Sequence, residues 1–157
     1  MEKSNRLEIC EACVDLAPQC TGRDELLRHL AGLMAGQGYV DEVYGDKIVE
    51  REASYPTGLQ FGDIAIALPH GDPAYVRQSA AAVARCPGVK FHGMEDPDEE
   101  IPVDLVVMLA VKDPDAHLAV LNNLMQMFTK PEMCRDVLKA SDPTEICRLF
   151  QSALYDS

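Results

Sequence analysis

The run Val103-Asp104-Leu105-Val106-Val107-Met108-Leu109-Ala110-Val111-Lys112, followed at once by Asp113-Pro114, constrains this chain more than any other feature. Its apolar stretch is far short of the roughly 20 residues a membrane helix needs, and its β-branched content marks a strand buried on both faces. Such a strand needs a covering layer on each side. It is therefore expected at the centre of a sheet, and the helix that follows over 113–130 opens with Asp113 as N-cap and Pro114 at its first position.

The remaining chain supplies the layers. A short strand is expected within LEICEACVDL (7–16), followed by a helix over 21–38 whose Leu26, Leu27, Leu30, Leu33 and Met34 share one face and which Gly36 and Gly38 end. DEVYGDKIVERE (41–52) reads as a second helix with Val43, Ile48 and Val49 as its apolar side, stopped by the turn Tyr55-Pro56-Thr57-Gly58. DIAIALPHGDP (63–73) sets a strand directly before a Pro-His-Gly turn. QSAAAVARC (78–86) and GVKFHGM (88–94) read as two strands, MEDPDEEIP (94–102) as an acidic loop, and PEMCRDVLKA (131–140) and DPTEICRLFQSAL (142–154) as closing helices. The predicted fold class is α/β, a three-layer α/β/α sandwich with a mixed central β-sheet flanked by helices. At 157 residues, one domain over 1–157 is expected.

Charge narrows the partners. With 26 Asp and Glu against 14 Lys and Arg, the net charge of -12 repels phosphate backbones and anionic membranes, so neither nucleic acid binding nor direct membrane insertion is expected. The start MEKSNRLEIC has no apolar core of a signal sequence, which points to a cytoplasmic protein with its six cysteines reduced. Cys10 and Cys13 form a C-x-x-C pair, half of a zinc site; in a strand, positions three apart face opposite ways, and no second pair follows, so no metal is expected. Phosphate-binding glycine loops, dinucleotide fingerprints and serine nucleophile elbows are likewise missing from the sequence.

Four histidines then carry the search for chemistry, since imidazole can act as base, ligand or nucleophile near neutral pH. His29 and His92 read as structural or surface residues. His70 stands apart because Pro69 fixes its approach and Gly71 lets the chain turn, aiming the side chain from a strand end. His117 falls in the stripe of Leu121, Leu124 and Phe128 and faces inward, either as a core residue or as an anion-binding group in the first turn of its helix. Arg51 either caps the second helix or, if the next turn folds back, holds two oxygens of a phosphoryl group while Thr57 donates its hydroxyl. A nucleophilic His70 would need its other ring nitrogen held as N–H by an acceptor, with a backbone carbonyl the expected one.

Arg51-Glu52, Tyr55-Pro56-Thr57-Gly58-Leu59 and Ala65-Ile66-Ala67-Leu68-Pro69-His70-Gly71, with VDLVVMLAVKDPDAHLAVLNNLMQMF further on, resemble the enzyme IIA domain of the sugar phosphotransferase system, mannitol/fructose class. The resemblance covers roughly 21–150, and PTGL, ALPHGDP and MLAVKDP look closest to its galactitol-specific branch. It implies a phosphocarrier in which His70 accepts a phosphoryl group from phospho-HPr and passes it to a cysteine of a sugar-specific IIB protein, and through it to the membrane IIC permease. It further implies that His117 is the second active-site histidine, that Arg51 binds phosphate, and that no cofactor takes part. A nitrogen-type IIA module, signalling through its phosphorylation state, is the alternative.

Overall fold

In the computed structural model residues 6–155 are described, so residues 1–5 and 156–157 of the expected 1–157 domain lie outside the described part. The elements are β1 (Val14–Asp15), α1 (Arg23–Gly36), α2 (Tyr44–Ser54), β2 (Gly58–Phe61), β3 (Ile64–Ala67), β4 (Ala80–His92), β5 (Glu100–Ala110), α3 (Pro114–Phe128), α4 (Pro131–Lys139) and α5 (Pro143–Tyr155). The strands form one sheet in the order β1-β4-β5-β3-β2. Pairing is parallel for β1 with β4 and for β3 with β5, and antiparallel for β4 with β5 and β2 with β3. The sheet is mixed, as expected, and β5 lies at its centre.

The alternation along β5 decides what each layer touches. Leu105, Val107, Leu109 and Val111 pack with residues of α3, α4 and α5. Val106, Met108 and Ala110 point the other way, into the core shared with α1 and α2. On that second face β4 contributes Ala80, Ala82 and Ala84 beneath Leu26, Leu27, Leu30 and Met34 of α1. Small side chains there let a helix approach the sheet closely, and this tertiary contact overrides the helical propensity of the alanine run.

Several elements differ from expectation. The two strands expected over 78–86 and 88–94 are one strand, β4, with a register shift between Arg85 and Val89. Gly88 sits inside the irregularity at φ 93°, a conformation open to glycine, and Pro87 beside it cannot donate to the ladder. On β4 too, Arg85 donates from Nη1 to the carbonyls of Leu138 at 2.9 Å and Ala140 at 2.8 Å, tying the end of α4 to the sheet. β2 was not expected: the Tyr55–Gly58 turn leads straight into a strand, and the hairpin turns at Gly62 (φ 51°). The buried face of α2 runs through Tyr44, Ile48 and Glu52, while Val43 is exposed.

At the start of the described chain, only Val14–Asp15 forms a strand; Glu11–Cys13 is a 3-10 turn, with the Cys13 N–H donating to the Cys10 carbonyl at 3.0 Å. The two cysteines therefore sit on a tight turn rather than across a strand, which removes the geometric reason given for setting aside a metal. The missing second pair remains: among the described residues no group of three or more His, Cys, Asp or Glu is placed to hold a metal ion. Among them, too, no helix is long and apolar enough to cross a membrane.

Gly88→Val should cost about 1–2 kcal/mol through its left-handed backbone alone. Urea unfolding checks this: the midpoint should fall with the slope unchanged, because the denatured chain exposes the same surface.

Candidate functional site

Parallel pairing sends β3 and β5 out of the sheet at the same edge. β3 ends at Ala67 and delivers Leu68-Pro69-His70; β5 ends at Ala110 and, three residues on, starts α3. His70 and His117 meet there, with ring centroids 4.6 Å apart and planes inclined at 55°. They line a cleft of about 520 Å³ together with Arg51, Gly71, Asp72 and Leu118. The position follows the general rule for open α/β sheets, in which ligands lie beyond the carboxyl ends of strands.

His70 is held on three sides. Its Nδ1 lies 2.9 Å from the Leu68 carbonyl oxygen, which can only accept, so Nδ1 carries the proton and Nε2 keeps its lone pair. The Leu109 N–H donates to the Pro69 carbonyl at 2.8 Å. On the other side the Gly71 N–H donates to the hydroxyl of fully buried Tyr44 at 3.1 Å, and that hydroxyl donates to the Leu109 carbonyl at 2.8 Å. Gly71 does not have the positive φ of a sharp turn. Its need is space: a Cβ there would stand 3.0 Å from the Tyr44 ring and 3.2 Å from Ile48.

His117 lies in the first turn of α3, where Asp113 caps the Asp115 N–H at 3.0 Å and Pro114 occupies the first position. It is half-buried and lines the cleft rather than the core. Burial, the neighbouring His70 and the Arg51 charge together push its pKa down to about 4. His70 is also lowered, chiefly by burial and then by Arg51, with the Leu68 hydrogen bond opposing. Both rings are thus neutral at physiological pH, the form in which an imidazole nitrogen attacks.

Arg51, on the last turn of α2, supplies the positive charge. It forms none of the ion pairs found among the described residues, and its guanidinium lies 5.3 Å from the centre of the Tyr55 ring. A guanidinium free of carboxylates is available to an incoming anion, as two parallel donors. Asp72 on the cleft wall turns its carboxylate to the Ala74 N–H at 2.8 Å.

Thr57 is not brought into this constellation. It is buried, does not line the cleft, and gives its hydroxyl proton to Glu52. His29 contacts Asp15 at 2.7 Å and His92 contacts the Pro97 carbonyl at 2.8 Å, both away from the cleft. Sequence reasoning missed Tyr44 and Glu52. Their signal was the i, i+4, i+8 spacing of 44, 48 and 52, obscured because the outermost two are polar residues on a buried face.

Residues 9–153 match the family described as phosphoenolpyruvate-dependent sugar phosphotransferase system, EIIA 2. The chain belongs to this family, and its activity is of the phosphotransferase class. Among its relatives, the galactitol-specific EIIA component of Escherichia coli (strain K12) is 29% identical over 136 residues, covering 86% of this chain and 89% of that one. The mannitol-specific enzyme IIA component of Geobacillus stearothermophilus is 29% identical over 131 residues, covering 82% and 84%. In fold, the Escherichia coli mannitol enzyme IIA solved in complex with phosphorylated enzyme IIB matches with a TM-score of 0.76 at 20% identity, covering 94% of this chain and 99% of that one.

The lowered His117 pKa makes a stability prediction. Between about 6.5 and about 4 the unfolded chain binds a proton at this residue and the folded chain does not, so stability is lost as pH falls through that window. The His117 share is on the order of 2 kcal/mol, reduced from the full shift because the ring is only half-buried. Urea unfolding at a series of pH values should show wild type losing that amount of stability relative to His117→Asn from neutral pH to pH 4. A difference constant with pH would place His117 outside the low-dielectric cleft.

Proposed function

We propose that Nε2 of His70 accepts a phosphoryl group from phospho-HPr and passes it to a cysteine of a soluble IIB protein. The observation that carries the reading is the commitment of Nδ1 to the Leu68 carbonyl, which leaves the lone pair of Nε2 as the nucleophile beside Arg51 and His117. In the first step the donor's N–P bond breaks as the His70 Nε2–P bond forms; in the second, Nε2–P breaks as S–P forms and the thiol proton goes to solvent. Phosphoryl transfer asks for in-line positioning and neutralised equatorial oxygens. Arg51 and the first turn of α3 supply the second requirement, and His117 orients the group without carrying it.

Exposed Leu118, on the cleft rim, offers an apolar contact that a donor and an acceptor protein can use in turn. We infer further that the chain is a single EIIA domain working in the cytoplasm, and that its acceptor is a IIB protein of the galactitol type feeding a membrane IIC permease. The wording around Thr57 and His70 and the similarity to the galactitol-specific component support that choice.

Incubation of the chain with phosphoenolpyruvate, its upstream enzyme and HPr should add one acid-labile phosphoryl group, read by mass spectrometry. His70→Gln should abolish it while leaving the circular dichroism spectrum unchanged; normal labelling of that variant would remove His70 as the acceptor.

Partner choice is tested separately. In single-turnover transfer at matched concentration and salt, a galactitol-type IIB should accept the group at least about tenfold faster than a mannose-type IIB, because shape and charge mismatch hinder in-line approach. Equal rates would contradict the galactitol assignment and leave the EIIA reading intact. Failure of any IIB to accept the group would favour the nitrogen-type regulatory module.

A further inference from the structure

Behind the His70 imidazole lies a set of hydrogen bonds that the phosphoryl chemistry above does not use. Glu52 is 2% exposed and Thr57 4%. The Thr57 N–H donates to Oε2 of Glu52 at 2.7 Å, and the Thr57 hydroxyl donates to the same carboxylate, 3.0 Å from Oε1. The Leu68 N–H then donates to the Thr57 hydroxyl oxygen at 3.2 Å and to the Thr57 carbonyl at 3.3 Å. Leu68 is the residue whose carbonyl holds Nδ1 of His70.

A buried carboxylate is a costly way to close α2 onto the sheet, since burial disfavours its charge and a packed leucine would avoid that cost. What Glu52 adds is direction. A threonine hydroxyl rotates and can donate to any nearby acceptor; with its proton held by Glu52, its oxygen can only accept, and the donor in reach is the Leu68 N–H. Leu68 lies past the end of β3 and before Pro69, which has no N–H, so Thr57 is its anchor on one side and the Pro69–Leu109 hydrogen bond is the anchor on the other.

We propose that Glu52 is a positioning residue for His70: through Thr57 it fixes the Leu68 backbone, whose carbonyl holds the imidazole in the Nδ1–H tautomer with Nε2 facing the cleft. The catalytic side of this inference rests on the reading of His70 as phosphoryl acceptor; the tautomer side does not.

The test uses the full chain, with nitrogen-15 NMR of the histidine rings at a pH where both are neutral, beside phosphorylation by phospho-HPr. In wild type, His70 should show one tautomer with the proton on Nδ1. Thr57→Val, which keeps shape and removes the hydroxyl, and Glu52→Gln, which removes the charge, should each mix the tautomers and slow phosphorylation per folded molecule on the order of tenfold. Thr57→Ser should restore both readouts. If Thr57→Val and Glu52→Gln lower the melting temperature but keep a single Nδ1–H tautomer and the wild-type rate, the pair is structural only and the proposal is overturned. Should Glu52→Gln fail to fold, the Thr57→Val and Thr57→Ser pair decides by the same readouts. If phospho-HPr does not phosphorylate the wild type, the acceptor reading falls, while the tautomer comparison still decides the positioning role.

Discussion

Everything at the cleft depends on the parallel alignment of β3 and β5, registered as Ile66 against Leu105 and Ala67 against Val106. Parallel neighbours end at the same edge, so a short strand leading to His70 and a long strand leading into α3 deliver their next residues side by side. An antiparallel pairing would have sent the two histidines to opposite ends of the sheet. The hydrogen bond from the Leu109 N–H to the Pro69 carbonyl continues that alignment past β3, and Tyr44 links the Leu109 carbonyl to the Gly71 N–H. His70 thus stands on the central strand by proxy, its two neighbours in sequence both tied to Leu109 of β5.

The electrostatics of the cleft run against the charge of the whole chain. A chain carrying a net -12 would repel a phosphoryl group, yet the cleft presents a guanidinium that joins no ion pair among the described residues, a capped helix N-terminus and two imidazoles kept neutral by burial and by Arg51. Neutral imidazoles suit the proposed transfer in different ways: one would need a lone pair, the other a ring that can donate to phosphoryl oxygens without repelling Arg51. Partial burial achieves both, because it penalises the protonated forms of two adjacent histidines together.

Much of this was legible in the chain. Asp113-Pro114 marked the start of α3, the apolar run marked β5 as central, and Pro69-His70-Gly71 marked the turn that carries His70 to the cleft, since each is a local signal whose meaning does not depend on distant residues. The failures share a cause. β4 was read as two strands because a bulge at Pro87-Gly88 resembles a turn until the antiparallel partner bridges it. The inward face of α2 was read only in part: Ile48 is buried and Val49 packs beside it, but Val43 is exposed and Tyr44 and Glu52 went unread because they are buried with hydrogen bonds rather than as apolar residues. Thr57 was expected at the phosphoryl group if the turn after α2 folded back on the His70 loop, whereas the tertiary partner that takes its hydroxyl proton is Glu52.

By itself, then, the sequence determined the α/β class, the central strand, the capped helix after it and the histidine on a strand-end turn, because propensity, periodicity and capping are properties of neighbouring residues. Only the tertiary structure decided that Arg51, His70 and His117 converge, that Nε2 of His70 is the free nitrogen, and that Thr57 faces inward. Those outcomes depend on strand order and on which acceptor stands within hydrogen-bond distance, and both are set by chain segments that meet only when the sheet has closed.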